Sequence, residues 1–173
     1  MGSIPSREKC ILLLKKSGCS NSVVKHCKAV GDIAVRMAKR AHADVELVEA
    51  GALLHDIGRS KTHGIFHATE GAKIARELGL SDKISNIIER HIGAGLPLQE
   101  AKKLGLPPKD YIPETIEEKI VCHADSLIDN FKQQKIENEI EKALIEGHKE
   151  YAKRLVKLHK ELSNMCKMDV NNI

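Results

Sequence analysis

A chain of 173 residues, 42% hydrophobic and 30% charged, is long enough to bury one core and polar enough to read as soluble and globular. Aromatic residues are only 2%, with no Trp, so stacking platforms are scarce and a single-stranded nucleic-acid binder is disfavoured. A net charge of +4 favours small anionic ligands but is too low for a protein that coats DNA.

The spacing predicts helices almost throughout. Arg7 to Ser17 carries Cys10, Ile11 and Leu14 on one face and ends at Gly18. Ser20 or Ser22 caps a second helix running to about Ala41, and Asp44 caps a third that Gly58 stops. His67 to Leu78 is a fourth, closed by Gly79, and Ser81 caps a fifth that reaches His91. Gly93, Gly95 and Pro97 make a loop before a small helix to Leu104. LGLPPKDYIP, with three of the five prolines, is a connector. Thr115 to Glu118 forms a capping box for a helix through Phe131, and a long charged helix covers about 136–166. No alternating strand pattern of useful length appears, so the fold class is all-α, a helical bundle. The last helix carries Leu144, Tyr151, Leu155, Leu158 and Leu162, and either packs on the bundle or pairs with a second copy in a homodimer.

Five scattered cysteines without a CxxC pair read as free buried thiols in a reducing, cytoplasmic setting. No stretch has the length and apolarity of a signal peptide or a membrane span. Gly2 and Ser6 match the outline of an N-myristoylation signal, which reads as a chance match in a chain with no other membrane cue.

Residues three, four, seven and eight apart share a helix face. His26 shares its stripe with Val23, Val30, Ile33 and Ala34, and His55 follows Leu47, Val48 and Gly51. Asp56 follows Val48 and Ala52, His91 follows Ile84, Ile87 and Ile88, and Asp125 lies among Val121, Ala124 and Ile128. A single inward histidine reads as a hydrogen-bonded core residue. Five inward ligand-type residues on four helices offset one another's burial only by meeting at one point, and a bound cation is the economical occupant. Gly51 and Ala52, one turn before the His-Asp pair, would leave room for it. His67 starts a helix with Gly71 and Ile74 on its inner face, which makes it a further ligand candidate. His63, in the preceding loop, reads equally as a substrate contact or a solvated side chain. His159 reads as packing, His148 as exposed, His42 as structural at a helix end, and His123 as facing away from Asp125.

The ordered set of His26, His55-Asp56-Ile57-Gly58, His67 with Gly71, His91, and Asp125 within HADSLID resembles the HD-domain superfamily of metal-dependent phosphohydrolases in its HDIG form, and within it small archaeal HDIG-domain proteins. The resemblance implies a single HD domain over 1–173, with its metal-site core over about 20–131. It implies that His26, His55, Asp56 and Asp125 hold one metal, and that His67 and His91 add a second bridged by Asp56. Arg59 stands where the family commonly has Lys, and would contact a substrate phosphate with a planar fork in place of a point donor. Lys61 and His63 extend the same loop toward the rest of the anion. His91-Ile92 followed by Gly95-Leu96-Pro97 departs from the paired histidines and Gly-Tyr-Pro loop of the cyclic-dinucleotide branch, which counts against a third metal and cyclic di-GMP hydrolysis.

The implied activity is hydrolysis of a phosphoester or phosphoanhydride, in a nucleotide or dinucleotide polyphosphate, by a metal-activated hydroxide, with His55, Asp56 and Arg59 in catalytic roles. A di-iron oxygenase and a non-catalytic nucleotide-binding sensor are alternatives on the same ligand set. Mixed imidazole and carboxylate ligands suit one or two Mn, Fe, Co, Ni or Zn ions better than Mg. The expected partner is a small anionic, phosphate-bearing substrate, with no membrane and no stable nucleic-acid binding.

Overall fold

Side-chain caps decide where the helices of this chain begin. In the computed structural model, which describes residues 4–173, Ser6 accepts from the Lys9 amide and opens α1 (Arg7–Lys16). The Gly2 signal lies outside the described residues. Ser20, not Ser22, caps α2 (Asn21–Ala41), and Asp44 caps α3 (Val45–Leu54). His42 ends α2 in the left-handed region, at φ 55°. α4 (His67–Glu77), α5 (Asp82–Glu89) and α6 (Leu98–Lys103) follow, then α7 (Ile116–Ser126). Only half of the expected capping box forms at α7. Thr115 Oγ1 accepts from the Glu118 amide, but the Glu118 carboxylate bonds the Glu114 amide and Arg90.

Three expected boundaries move. The third helix stops at Leu54 and gives way at the His-Asp pair to a 3-10 turn over Ile57–Ser60, so Gly58 lies beyond it. α7 ends at Ser126, where a small antiparallel hairpin replaces its last turn: β1 (Ile128–Asp129) pairs with β2 (Lys132–Gln133). Asn130, at φ 56°, turns that hairpin. The long C-terminal helix is two helices, α8 (Ile136–Ile145) and α9 (Lys149–Cys166), broken at Gly147 with φ 82°. The break separates Leu144, which is exposed, from Leu155, Leu158 and Leu162, which pack into the bundle.

α2 is the central element, packed on α3, α7 and α9, with α5 closing over α3 and α4 over α5. A smaller apolar cluster of Ala68, Ile92, Leu96, Ala101, Leu106 and Tyr111 anchors the proline-rich connector through a two-way backbone pair between Leu96 and Tyr111. Four of the five cysteines are buried and all are free. Among the described residues, no helix is long and apolar enough to cross a membrane.

Two glycines set how close the ligand-bearing elements come. A Cβ on Gly58 would stand 1.9 Å from the His67 carbonyl oxygen and 2.6 Å from the Gly71 amide nitrogen. A Cβ on Gly51 would meet Ile87 at 2.7 Å, so the space beside Gly51 holds an α5 side chain and not, as the sequence suggested, an ion. Because Gly58 faces backbone, which cannot swing aside, Gly58→Ala is expected to cost about 3 kcal/mol or more and to lower the melting temperature by roughly 10 °C in a thermal scan.

Candidate metal centre

The ligand-type side chains collect where elements end. His55 and Asp56 leave the C-terminus of α3, His67 is the first residue of α4, His91 follows α5, and Asp125 sits in the last turn of α7. Of these candidate ligands only His26 lies more than one turn from either end of its helix, in α2. These positions come from five segments of chain and face one another.

One local device recurs at three of them. The ring Nδ1 of His55 donates to the Ala52 carbonyl at 2.7 Å, that of His67 to Gly64 at 2.8 Å, and that of His91 to Ile88 at 2.6 Å. Each acceptor lies three residues back. At the ends of α3 and α5 it is a carbonyl near the helix C-terminus, of the kind left without a helical partner. His26 reaches the same result over a long separation, donating Nδ1–H to the carbonyl of Asn130 at the hairpin tip, 2.7 Å away. A carbonyl only accepts, so each of these rings in its neutral form carries its proton on Nδ1 and turns a bare Nε2 inward.

Those Nε2 atoms then face groups that also accept. His67 Nε2 is 2.9 Å from His91 Nε2 and 3.1 Å from Asp56 Oδ1. His26 Nε2 is 2.8 Å from Asp125 Oδ1, and His55 Nε2 is 3.5 Å from the same oxygen and 3.7 Å from Asp56 Oδ2. His91 Nε2 is 3.7 Å from Asp56 Oδ1. His55, fully buried, has an Nε2 with no hydrogen-bond partner. Lone pairs turned on lone pairs at these distances repel unless a positive charge lies among them. The donor set therefore fits divalent ions: one could lie among His26, His55 and Asp125, and another among His55, Asp56 and His91, each group having its ligand atoms within 4.8 Å of one another. Asp56 turns one oxygen toward His67 and His91 and the other toward His26 and His55, the geometry of a bridge.

The same charges govern protonation. Burial disfavours the imidazolium of His55, yet the Asp56 and Asp125 carboxylates outweigh it and hold this group well above the usual histidine range, so a proton competes with a cation for the His55 Nε2 lone pair. Against burial, His55 and His67 hold Asp56 below the usual carboxylate range, and His55 with His26 holds Asp125 well below it. Burial, aided by neighbouring His55 and His67, pushes His91 down to about 3.

A cavity of about 320 Å³ opens onto this cluster, lined by His26 and Asp56 on its inner side and by Arg59, His63, Ser20, Ser22, Val23, Asn130 and Phe131. Arg59 Nε donates to Asp56 Oδ2, and Nη1 lies 3.4 Å from the His63 carbonyl oxygen. His63 is exposed at the rim. Lys61 is exposed and is not among the lining residues, so the structure does not bring it to the site with the other two expected substrate contacts. His123 is buried away from the cluster, with Nε2 3.0 Å from His159 Nδ1. His159 does more than pack: its Nε2 donates to Asp169 at 3.0 Å. Sequence reasoning missed Asn130 and Phe131 by placing them in a helix, although adjacent Asp129 and Asn130, both turn formers, mark the break.

Comparison with known proteins points the same way. The HD domain family model matches residues 23–130. The chain is 47% identical, over 98% of its length, to the tRNA (cytidine(56)-2'-O)-methyltransferase of Thermoplasma volcanium, of which it covers 50%. It is also 51% identical to the uncharacterised protein MJ0778 of Methanocaldococcus jannaschii, over 92% of this chain and 98% of that one. It thus spans about half the length of the methyltransferase and nearly all of MJ0778. In structure it is similar to the HD domain of the L. monocytogenes phosphodiesterase PgpH, solved in complex with cyclic-di-AMP, with a TM-score of 0.57 at 19% identity, covering 89% of this chain and 96% of that one.

Asp56→Ala is expected to remove both ions while far-UV circular dichroism stays near that of the native protein, and His91→Ala to remove one ion of two. Elemental analysis of the purified proteins measures both; unchanged stoichiometry in Asp56→Ala would rule out the bridge.

Proposed function

The chain belongs to the HD-domain family, and from that membership we propose that it is a metal-dependent phosphohydrolase with His26, His55, Asp56, His67, His91 and Asp125 as its metal ligands. The observation that carries this reading is the convergence of three imidazoles and two carboxylates in two metal-capable groups, joined by His67 at His91 and Asp56, beside a cavity that holds an arginine. Bound divalent ions would supply Lewis acidity and a water of lowered pKa.

The chain's own residues prepare the rest. The Nδ1–carbonyl bonds fix each ring before any ligand arrives, so little reorganisation is left for the moment of binding. Arg59 uses Nε to steady Asp56, which leaves the far edge of its guanidinium to meet the charge on a phosphoryl group in the cavity. His63, at the rim, would touch the part of the substrate that leaves the cavity. The substrate class is a nucleotide carrying a phosphoester or phosphoanhydride.

The longer relative favours a second reading of that substrate. A sequence like this chain makes up half of a protein named for acting on tRNA, which supports a phosphoester within RNA, or at its end, as the group hydrolysed. For this chain the ligand set suits divalent ions and phosphate, which supports hydrolysis over methyl transfer.

The test is a hydrolysis panel on protein stripped of metal and reloaded with Mn, Fe, Co, Ni or Zn, offered nucleotides, dinucleotide polyphosphates and tRNA, with and without dioxygen. Metal-dependent, oxygen-independent release of phosphate or a mononucleotide is the expected result. Turnover that requires dioxygen would transfer the site to the oxygenase class, and tight binding without turnover under every metal would make it a sensor. Arg59→Ala is expected to lower kcat/KM on the order of 100-fold, with Arg59→Lys recovering part of the loss.

A further inference from the structure

Phe131 is 54% exposed in a chain that has two phenylalanines, two tyrosines and no tryptophan. A lone exposed apolar side chain needs no explanation in general. This one is held at the mouth of the candidate active-site cavity, and the backbone that holds it is tied to the metal cluster. Asn130, its neighbour, turns the hairpin at φ 56° and accepts from His26 Nδ1 at 2.7 Å. The hairpin tip thus orients a ligand-type ring and presents an aromatic one.

The cavity lining is chemically mixed. His26, Asp56 and Arg59 make it charged and cation-ready, and Phe131 and Val23 add apolar surface. A nucleotide is mixed in the same way, with an anionic phosphate at one end and a flat, weakly hydrated base at the other. Every base has a π-face, so a single ring binds bases without needing a hydrogen-bonding code. The volume of about 320 Å³ lies at the low end of the usual 300–1,000 Å³ for small-molecule sites, a size that suits one nucleotide unit.

We propose that Phe131 is a substrate-selecting residue that stacks on the base of one nucleotide unit whose phosphate lies at Arg59 and the candidate metal centre. This rests on the phosphohydrolase reading of that centre and adds what the centre selects. A free mononucleotide and the terminal nucleotide of an RNA present the same chemistry to the cavity.

The chain has no tryptophan, so Phe131→Trp introduces one fluorescent reporter at the point of contact. Metal-loaded Phe131→Trp protein is titrated with AMP, CMP, ribose 5-phosphate, inorganic phosphate and a short single-stranded RNA. Quenching by AMP, with none by ribose 5-phosphate or phosphate, is expected; quenching by the RNA alone supports the same contact and assigns it to a chain end. In calorimetry, Phe131→Ala is expected to weaken nucleotide binding roughly 10-fold, leave phosphate binding and metal content unchanged, and be rescued by Phe131→Tyr. If AMP and ribose 5-phosphate bind native protein equally and Phe131→Ala weakens neither, stacking is overturned while the phosphohydrolase reading stands. If no phosphate compound binds the metal-loaded protein, both are overturned.

Discussion

The structure turns on a conflict among acceptors. Four imidazole nitrogens and two carboxylates face one another inside a helical core, with His67 and His91 presenting bare nitrogens 2.9 Å apart. Hydrophobic packing does not create that arrangement, because each group taken alone would be cheaper in water. A cation converts the conflict into coordination, and since an unfolded chain offers no such site, its binding would add to the stability of the fold. At a free ion concentration 100 times the dissociation constant the linkage is worth about 2.7 kcal/mol. The site and the stability of the bundle are then one problem.

Packing fixes the distances at which that problem is solved. Gly58 lets the turn after the His-Asp pair lie against the first turn of α4, which carries His67, and Gly51 lets Ile87 of α5 enter beside α3. Ile57, next to Asp56 in the chain, and Ile88, whose carbonyl accepts from His91 Nδ1, are both fully buried and leave those ligand residues little freedom to move. Small residues where elements meet, large ones beside the ligands, and rings tethered to carbonyls together hold the geometry before any ion binds.

Much of this was legible in the sequence because inward polar residues break a helical stripe in a way periodicity exposes. That rule alone marks His26, His55, Asp56, His91 and Asp125 as inward, His67 is marked by its place at a helix start with Gly71 on the inner face, and the structure brings these side chains together. The all-α class followed from the same spacing. What stayed hidden depended on partners distant in sequence. Nothing local says that Gly51 receives Ile87, that Arg59 folds back on Asp56, or that His159 finds both His123 and Asp169. The break at Gly147 was visible as a glycine in a helical run, but helical periodicity on both sides made one helix the simpler reading.

The hairpin after α7 shows why a local rule can fail at the place that matters. Residues 127–131 carry Leu127 and Ile128 beside Asn130 and Phe131, a composition that a helix tolerates, and continuing α7 would have kept its backbone bonds. The chain instead places Asn130 in the left-handed region, which few residue types occupy at low cost. The gain is a carbonyl aimed at His26, the one candidate ligand that projects from within a helix, where its own backbone carbonyls are already bonded and no local acceptor is left to fix its ring. His55, His67 and His91 find their acceptor three residues back; His26 needs one from elsewhere, and the hairpin tip supplies it. Ending α7 early is therefore a requirement of the site, imposed on the helix by a ring 104 residues away in sequence.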